Sequence, residues 1–112
     1  MNARVTLSAY VATLCNADLL VIMSDIDGLY DKKPQEYPDA KRIDVVEKID
    51  DNIRSMGGSA GSSRGTGGMR TKIMAAEIAT QVCDMMIVNG ANPEILYDIF
   101  DGKQPGTLFK KQ

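Results

Sequence analysis

The sequence predicts an α/β fold on a mainly parallel sheet, and three observations carry that prediction. Residues 19–23 (Leu-Leu-Val-Ile-Met) and 85–88 (Met-Met-Ile-Val) are short, continuous apolar runs, the pattern of strands buried on both faces. Segments with apolar residues at helical spacing precede both runs, and alternating helices and strands form layers around a parallel sheet. Both runs end in turn-forming residues, Ser24-Asp25-Ile26-Asp27-Gly28 and Asn89-Gly90. In such sheets ligands sit at the carboxyl ends of strands.

Taken in order, residues 7–15 form a helix, with Leu7, Tyr10, Val11, Leu14 and Cys15 at helical spacing. The first strand follows and ends at the 24–28 turn. Residues 30–39 contain Pro34, Pro38 and many charges, which reads as a surface loop. Residues 42–49 alternate enough for a short strand, and residues 50–56 suit a short helix with Asp50 or Asp51 as N-cap. Residues 57–68 hold six glycines, three serines and one threonine, so no regular element is expected there. A long helix is predicted over 68–82, its apolar side supplied by Ile73, Ala76, Ile78, Ala79 and Val82. The second buried strand covers 85–88. Residues 93–100 form a helix with Pro93 in its first turn, and 106–109 make a short last strand.

Composition removes several functions. A chain of 112 residues is the size of one domain. A net charge of −2, few aromatics and no Trp argue against a nucleic-acid binder. The longest apolar stretch, residues 19–23, is too short to span a membrane, and no signal peptide is visible, so a cytoplasmic location is expected. The absence of His removes His-based acid–base chemistry, Ser-His-Asp triads and most zinc sites. Cys15 and Cys83 read as two buried free thiols.

The most informative segment is Arg64-Gly65-Thr66-Gly67-Gly68-Met69-Arg70-Thr71-Lys72. Closely spaced glycines let backbone approach an anion, and a helix start offers free N–H groups and a favourable dipole to a phosphate. Lys72, one turn in, can bring a mobile positive charge to a transferring phosphoryl group. This is not a Walker A loop, because Thr71 precedes the lysine and Ile73 follows it. The plainer alternative is a flexible loop before an ordinary helix with a surface lysine. The 24–34 segment offers carboxylates and a glycine at a strand's carboxyl end, where Asp suits ribose hydroxyls or a metal-bound water and Tyr30 suits a base. Its plainer alternative is an acidic surface turn.

Both loops resemble one family. Residues 24–34, opening Ser24-Asp25-Ile26-Asp27-Gly28-Leu29-Tyr30-Asp31, resemble the T-D-x-x-G-L-Y-D-x-D-P segment of the glutamate 5-kinase branch of amino acid kinases. Gly65-Thr66-Gly67-Gly68-Met69-Arg70-Thr71-Lys72-Ile73 is similar to its G-T-G-G-M-x-T-K-I motif. Leu7-Ser8-Ala9 and Gly106-Thr107-Leu108-Phe109 match its L-S-A and G-T-x-F. The resemblance implies a partial α/β/α sandwich, with this chain as the C-terminal, ATP-binding part of the kinase domain and residues 1–6 as an atypical start. It also implies transfer of the ATP γ-phosphate to the side-chain carboxylate of L-glutamate, with Mg²⁺, in proline synthesis. Carried over by position, Ser24, Asp25, Thr66, Gly67, Gly68, Met69, Arg70, Thr71 and Lys72 would contact the nucleotide, with Lys72 catalytic on the transferring phosphate. No residue is assigned as a metal ligand.

The departures are instructive. Ser24 replaces the usual Thr and Lys33 an Asp. Where the family keeps Asn-Asp, this chain has Arg4 and Val5. The N-terminal lobe with the glutamate site and the appended PUA domain of many relatives are both missing. The chain by itself is therefore expected to lack turnover and to self-associate through newly exposed surface. Uridylate and aspartate kinases are the nearest enzyme alternative, opposed by Met69 and Thr71. A non-catalytic nucleotide-binding module is the alternative of another class, supported by Val5.

Overall fold

The computed structural model describes residues 3–57 and 68–112. Among them the elements are α1 (Ala3–Leu14), β1 (Leu19–Ser24), β2 (Leu29–Tyr30), β3 (Arg42–Ile43), β4 (Val45–Val46), α2 (Asp51–Ser55), α3 (Gly68–Ala79), β5 (Asp84–Asn89), α4 (Ile95–Phe100) and β6 (Thr107–Phe109). Four strands form a sheet in the order β1-β5-β6-β4. β1 and β5 are parallel, as are β4 and β6, while β5 and β6 run antiparallel. β2 and β3 make a separate antiparallel pair.

β5 behaves as its continuous apolar run predicts, with Met85, Met86, Ile87 and Val88 all buried. β1 does not. It is an edge strand, so among its residues only Ile22 is fully buried and Met23 is 42% exposed. The same apolar pattern therefore has two outcomes, decided by whether a second neighbour covers the strand.

α1 corrects the expectation in a similar way. Its large apolar residues Leu7, Tyr10, Val11 and Leu14 are exposed, while Val5, Ala9 and Ala12 enter the core. α1 packs on α3, whose buried positions include Ala75, Ala76 and Ala79. Small side chains on both helices let the axes approach closely. Cys15, expected in the core, is exposed at the end of this helix, whereas Cys83 is buried.

The predicted single strand over 42–49 is two strands in two different sheets. The chain breaks at Asp44, so Ile43 pairs with Leu29 and Val45 with Leu108. α2 has the expected cap: the Asp50 carboxylate accepts the Ile53 N–H at 3.0 Å. Arg54 ties α2 to α3 through Glu77 at 2.8 Å and also pairs with Asp51 at 2.9 Å. α3 ends at Ala79 rather than 82. Val82 lies in the following turn and is 40% exposed. Asn92 accepts the Glu94 N–H before α4, so that helix is entered through a tight turn at 93–94. No helix among the described residues is long and apolar enough to cross a membrane.

Candidate functional site

Topology brings three segments to one end of the sheet. β1 ends at Ser24, opposite Asn89 at the end of parallel β5. α3 passes into β5 through a short turn at residues 80–83, so its last residue lies near the amino end of β5. Its 12 residues span about 18 Å at 1.5 Å each. A six-residue strand covers about 20 Å. A helix of that length returning antiparallel to β5 directs its first turn, Gly68 to Lys72, toward the carboxyl end of that strand.

The backbone at this end is tightly joined. The Gly90 N–H donates to the Ser24 carbonyl at 2.7 Å. A Cβ on Gly90 would lie 2.8 Å from the Met23 Cβ, so only glycine permits this approach. The Ser24 hydroxyl donates to the Asp25 carboxylate and accepts the Ile26 N–H, each at 3.2 Å. These local bonds shape the turn and leave the exposed Asp25 carboxylate facing solvent.

Asp27, two residues on, has a different task. Its carboxylate accepts the Tyr30 hydroxyl at 2.8 Å and Arg42 Nη1 at 3.1 Å. Arg42 also donates to the Pro105 carbonyl at 3.3 Å and lies 3.6 Å from Asp44. The hydrogen bond to Asp27 raises the Tyr30 pKa, with burial and the Asp27 charge adding to it. The phenol is therefore kept protonated, and its bond to Asp27 is present through neutral pH and lost only as pH rises through the raised value. Asp27 and Tyr30 brace the loop, and Asp25 is the carboxylate left exposed.

Thr107 completes the brace from the other side. Fully buried, it accepts the Leu29 N–H at 2.8 Å and donates to the Ile43 carbonyl at 2.6 Å. Gly28 takes a positive φ of 156° directly against it. Sequence reasoning missed Arg42, Gly90 and Thr107 as parts of this site. The G-T-x-F match pointed at Thr107 without saying what it does.

On α3, Gly68 has φ 38° and is exposed, as is Arg70. Met69 packs against the core and Thr71 is buried. Lys72 is half-buried and its ammonium reaches back to the Gly68 carbonyl at 3.4 Å, toward the helix start where an anion would sit. Thr66 and Gly67 lie outside the described residues. Among the described residues, no group of three or more His, Cys, Asp or Glu is placed to hold a metal ion.

An apolar groove of about 430 Å³ lies elsewhere, between α1 and the edge of the sheet, lined by Leu7, Val11, Ala12, Cys15, Ala17 and Leu20. Arg4 and Ser8 also border it, but its exposed lining is almost wholly apolar.

Comparison with known proteins agrees with this geometry. The chain is 56% identical over 107 residues to the glutamate 5-kinase of Idiomarina loihiensis, covering 95% of this chain and 29% of that protein. It is 53% identical over 104 residues to the glutamate 5-kinase of Clostridium perfringens, covering 92% and 39%. The chain thus spans about a third of the length of these curated relatives. Among solved structures it is similar to the UMP kinase of Ureaplasma parvum (TM-score 0.64, 16% identity, 96% of this chain and 41% of that one). It is also similar to the Giardia lamblia carbamate kinase bound to AMP-PNP (TM-score 0.62, 20% identity, 93% and 30%). These structural likenesses bear on the fold. The Amino acid kinase family model matches residues 6–89, three-quarters of the chain, and the chain belongs to that family.

Proposed function

We propose that this chain is the ATP-binding part of a glutamate 5-kinase, a cytoplasmic enzyme of proline synthesis. The observations that support the reading are the Ser24-Asp25 turn at the carboxyl end of β1 and the Lys72 ammonium folded back on the Gly68 carbonyl that opens α3. Identities of 50–56% to glutamate 5-kinases along most of the chain support it.

In this reading Asp25 and Ser24 receive the nucleotide at the end of β1. The backbone N–H groups from Thr66 to Met69 meet its phosphates, with Gly67 and Gly68 allowing close approach. Arg70 adds positive charge at the mouth, and Thr71 anchors the turn in the core. The Lys72 ammonium follows the γ-phosphoryl group as negative charge develops on it during transfer to the glutamate carboxylate. Mg²⁺ would arrive with the nucleotide phosphates, and the exposed Asp25 carboxylate would suit ribose hydroxyls or a metal-bound water.

These are donor-side parts. Val5, at the position where related kinases keep an acidic residue, is buried in the core with Ala9 and Ala12 and can balance no lysine. Transfer needs donor and acceptor in line, and loss of positioning alone forfeits about 7–11 kcal/mol of barrier lowering. The 112-residue chain is therefore expected to bind ATP·Mg weakly and to phosphorylate nothing. The check is glutamate-dependent ADP release by the purified chain, with Lys72→Met as control for a contaminating kinase. Turnover that disappears in the control would show an acceptor site made by self-association. A second reading, a non-catalytic nucleotide-binding module, is favoured by the same Val5. ATP binding without turnover after addition of a glutamate 5-kinase N-terminal half would favour that reading.

A further inference from the structure

The geometry points to Thr107 as the positioning residue of the nucleotide site, acting through the 24–30 loop although it stands on β6. The inference rests on the ATP-site reading above and adds a residue to it. The loop between β1 and β2 carries the proposed ligand group Asp25, yet most of its own bonds are short-range: Ser24 to Asp25, Ile26 to Ser24, Tyr30 to Asp27. Bonds of that kind define a turn's shape without fixing where the turn stands. Arg42, through Asp27, supplies one external tie, and it is only part-buried. The other is the Thr107 hydroxyl. It takes the Leu29 N–H at 2.8 Å and gives its proton to the Ile43 carbonyl at 2.6 Å, so one buried oxygen holds β2 and β3 together from the strand beside them.

The fit around that oxygen is close. Gly28 lies against it with φ 156°, and a Cβ there would collide with Thr107 Oγ1 and approach the Thr107 nitrogen to 3.2 Å. Gly106 is equally constrained, because a Cβ on it would collide with the Ile87 carbonyl oxygen. The Gly-Thr pair that starts β6 is thus seated against β5 on one side and the loop on the other. β5 in turn holds the Ser24 carbonyl through Gly90. Both ends of the loop are therefore referred to the same sheet, Ser24 through β5 and Leu29 through Thr107. A hydroxyl is needed at position 107 because one atom must both accept and donate. Ser satisfies that requirement, and Val, of the same shape, satisfies neither half.

The test is an NMR titration of the full chain with ATP·Mg up to about 10 mM, a range that registers weak sites. It would be run on the wild type, Thr107→Ser and Thr107→Val. The expected result is ATP-dependent shifts at residues 24–28, an affinity for Thr107→Ser within about threefold of wild type, and a loss of about tenfold or more for Thr107→Val, about the effect of one lost buried hydrogen bond. The Leu29 amide should lose its exchange protection in Thr107→Val alone. If Thr107→Val does not fold, Thr107→Ala against Thr107→Ser isolates the same oxygen. Equal ATP affinity for the Ser variant and its hydroxyl-free counterpart would overturn the positioning role and leave the ATP-site reading standing. A wild-type chain giving no shifts at residues 24–28 would overturn the ATP-site reading, and the inference with it.

Discussion

Two carboxylates follow β1, and their surroundings separate them. Asp27 is taken up by Tyr30 and Arg42, while Asp25 meets a single hydroxyl and solvent. In the sequence both are acidic residues of one turn, and nothing in their spacing assigns the roles. Lys72 lies one turn into a helix after a glycine-rich stretch, and its ammonium folds back on the helix start, which favours the phosphate reading over that of an ordinary surface lysine. In a complete glutamate 5-kinase carrying this segment, Lys72→Met should lower kcat about 10²–10³-fold, the usual effect of removing one charge aimed at a transition state. The ATP affinity should fall less, since backbone donors remain. A kcat near wild type would reduce Lys72 to a surface lysine. The cysteines give a second test. Burial, then the nearby Asp84, raises the Cys83 pKa, so at pH 8 its thiolate population is suppressed as well as shielded. Cys15 is exposed. An aromatic disulfide reagent at pH 8 should modify one thiol rapidly in the native chain and two in denaturant. Two equally fast thiols in the native chain would show that Cys83 is not enclosed.

Most elements were legible because each one's period was clean. β5, α2 with its Asp50 cap and the body of α3 stand where the apolar pattern and the capping residue put them. What escaped depended on neighbours that a local pattern does not encode. The large apolar residues of α1 stand at helical spacing, but the core uses Ala9 and Ala12, because α3 offers alanines at close range. The 42–49 segment was read as one strand because nothing local reveals that its two halves have partners in different sheets. The site followed the same division: its loops were visible, and the residues that hold them, Arg42, Gly90 and Thr107, lie 15 or more positions away from the loop contacts they make or depend on strand pairing. Gly106 tests the sheet at this level. With the Ile87 carbonyl where a side chain would begin, Gly106→Ala should destabilise the fold by about 1–3 kcal/mol, the range for overpacking a filled site. Urea unfolding followed by circular dichroism would read this directly. An unchanged midpoint would mean that β5 and β6 separate at little cost.

For the molecule as a whole, one side is unfinished. Leu7 (62% exposed), Leu14 (83%), Tyr10 and Val11 stand out from α1 beside the apolar groove, and among the described residues the outer edge of β1 has no strand paired to it. Edges and contiguous apolar faces of this kind drive association. Light scattering across a concentration series should show mass rising with concentration, and Leu7→Lys with Leu14→Lys should restore a smaller species. A monomer at every concentration would count against this. The sheet order has a consequence in time as well as in space. β6 is the last strand in the sequence, yet it lies inside the sheet, between β5 and β4. Synthesis runs from the amino terminus, so Val45 and Val46 leave the ribosome long before Leu108 and Phe109, their sheet partners among the described residues. β1 and β5 can align as soon as α3 has joined them. β4, and the Leu29 amide that waits for Thr107, must stay unsatisfied until residues 107–112 arrive. Those residues then close several waiting bonds together: Lys110 to Val46, Lys111 to Asp84, and Gln112 to Thr80 and Ile49. The 24–30 loop is therefore made well before the strand that fixes it, and it takes up its final place only when β6 joins β5 and β4.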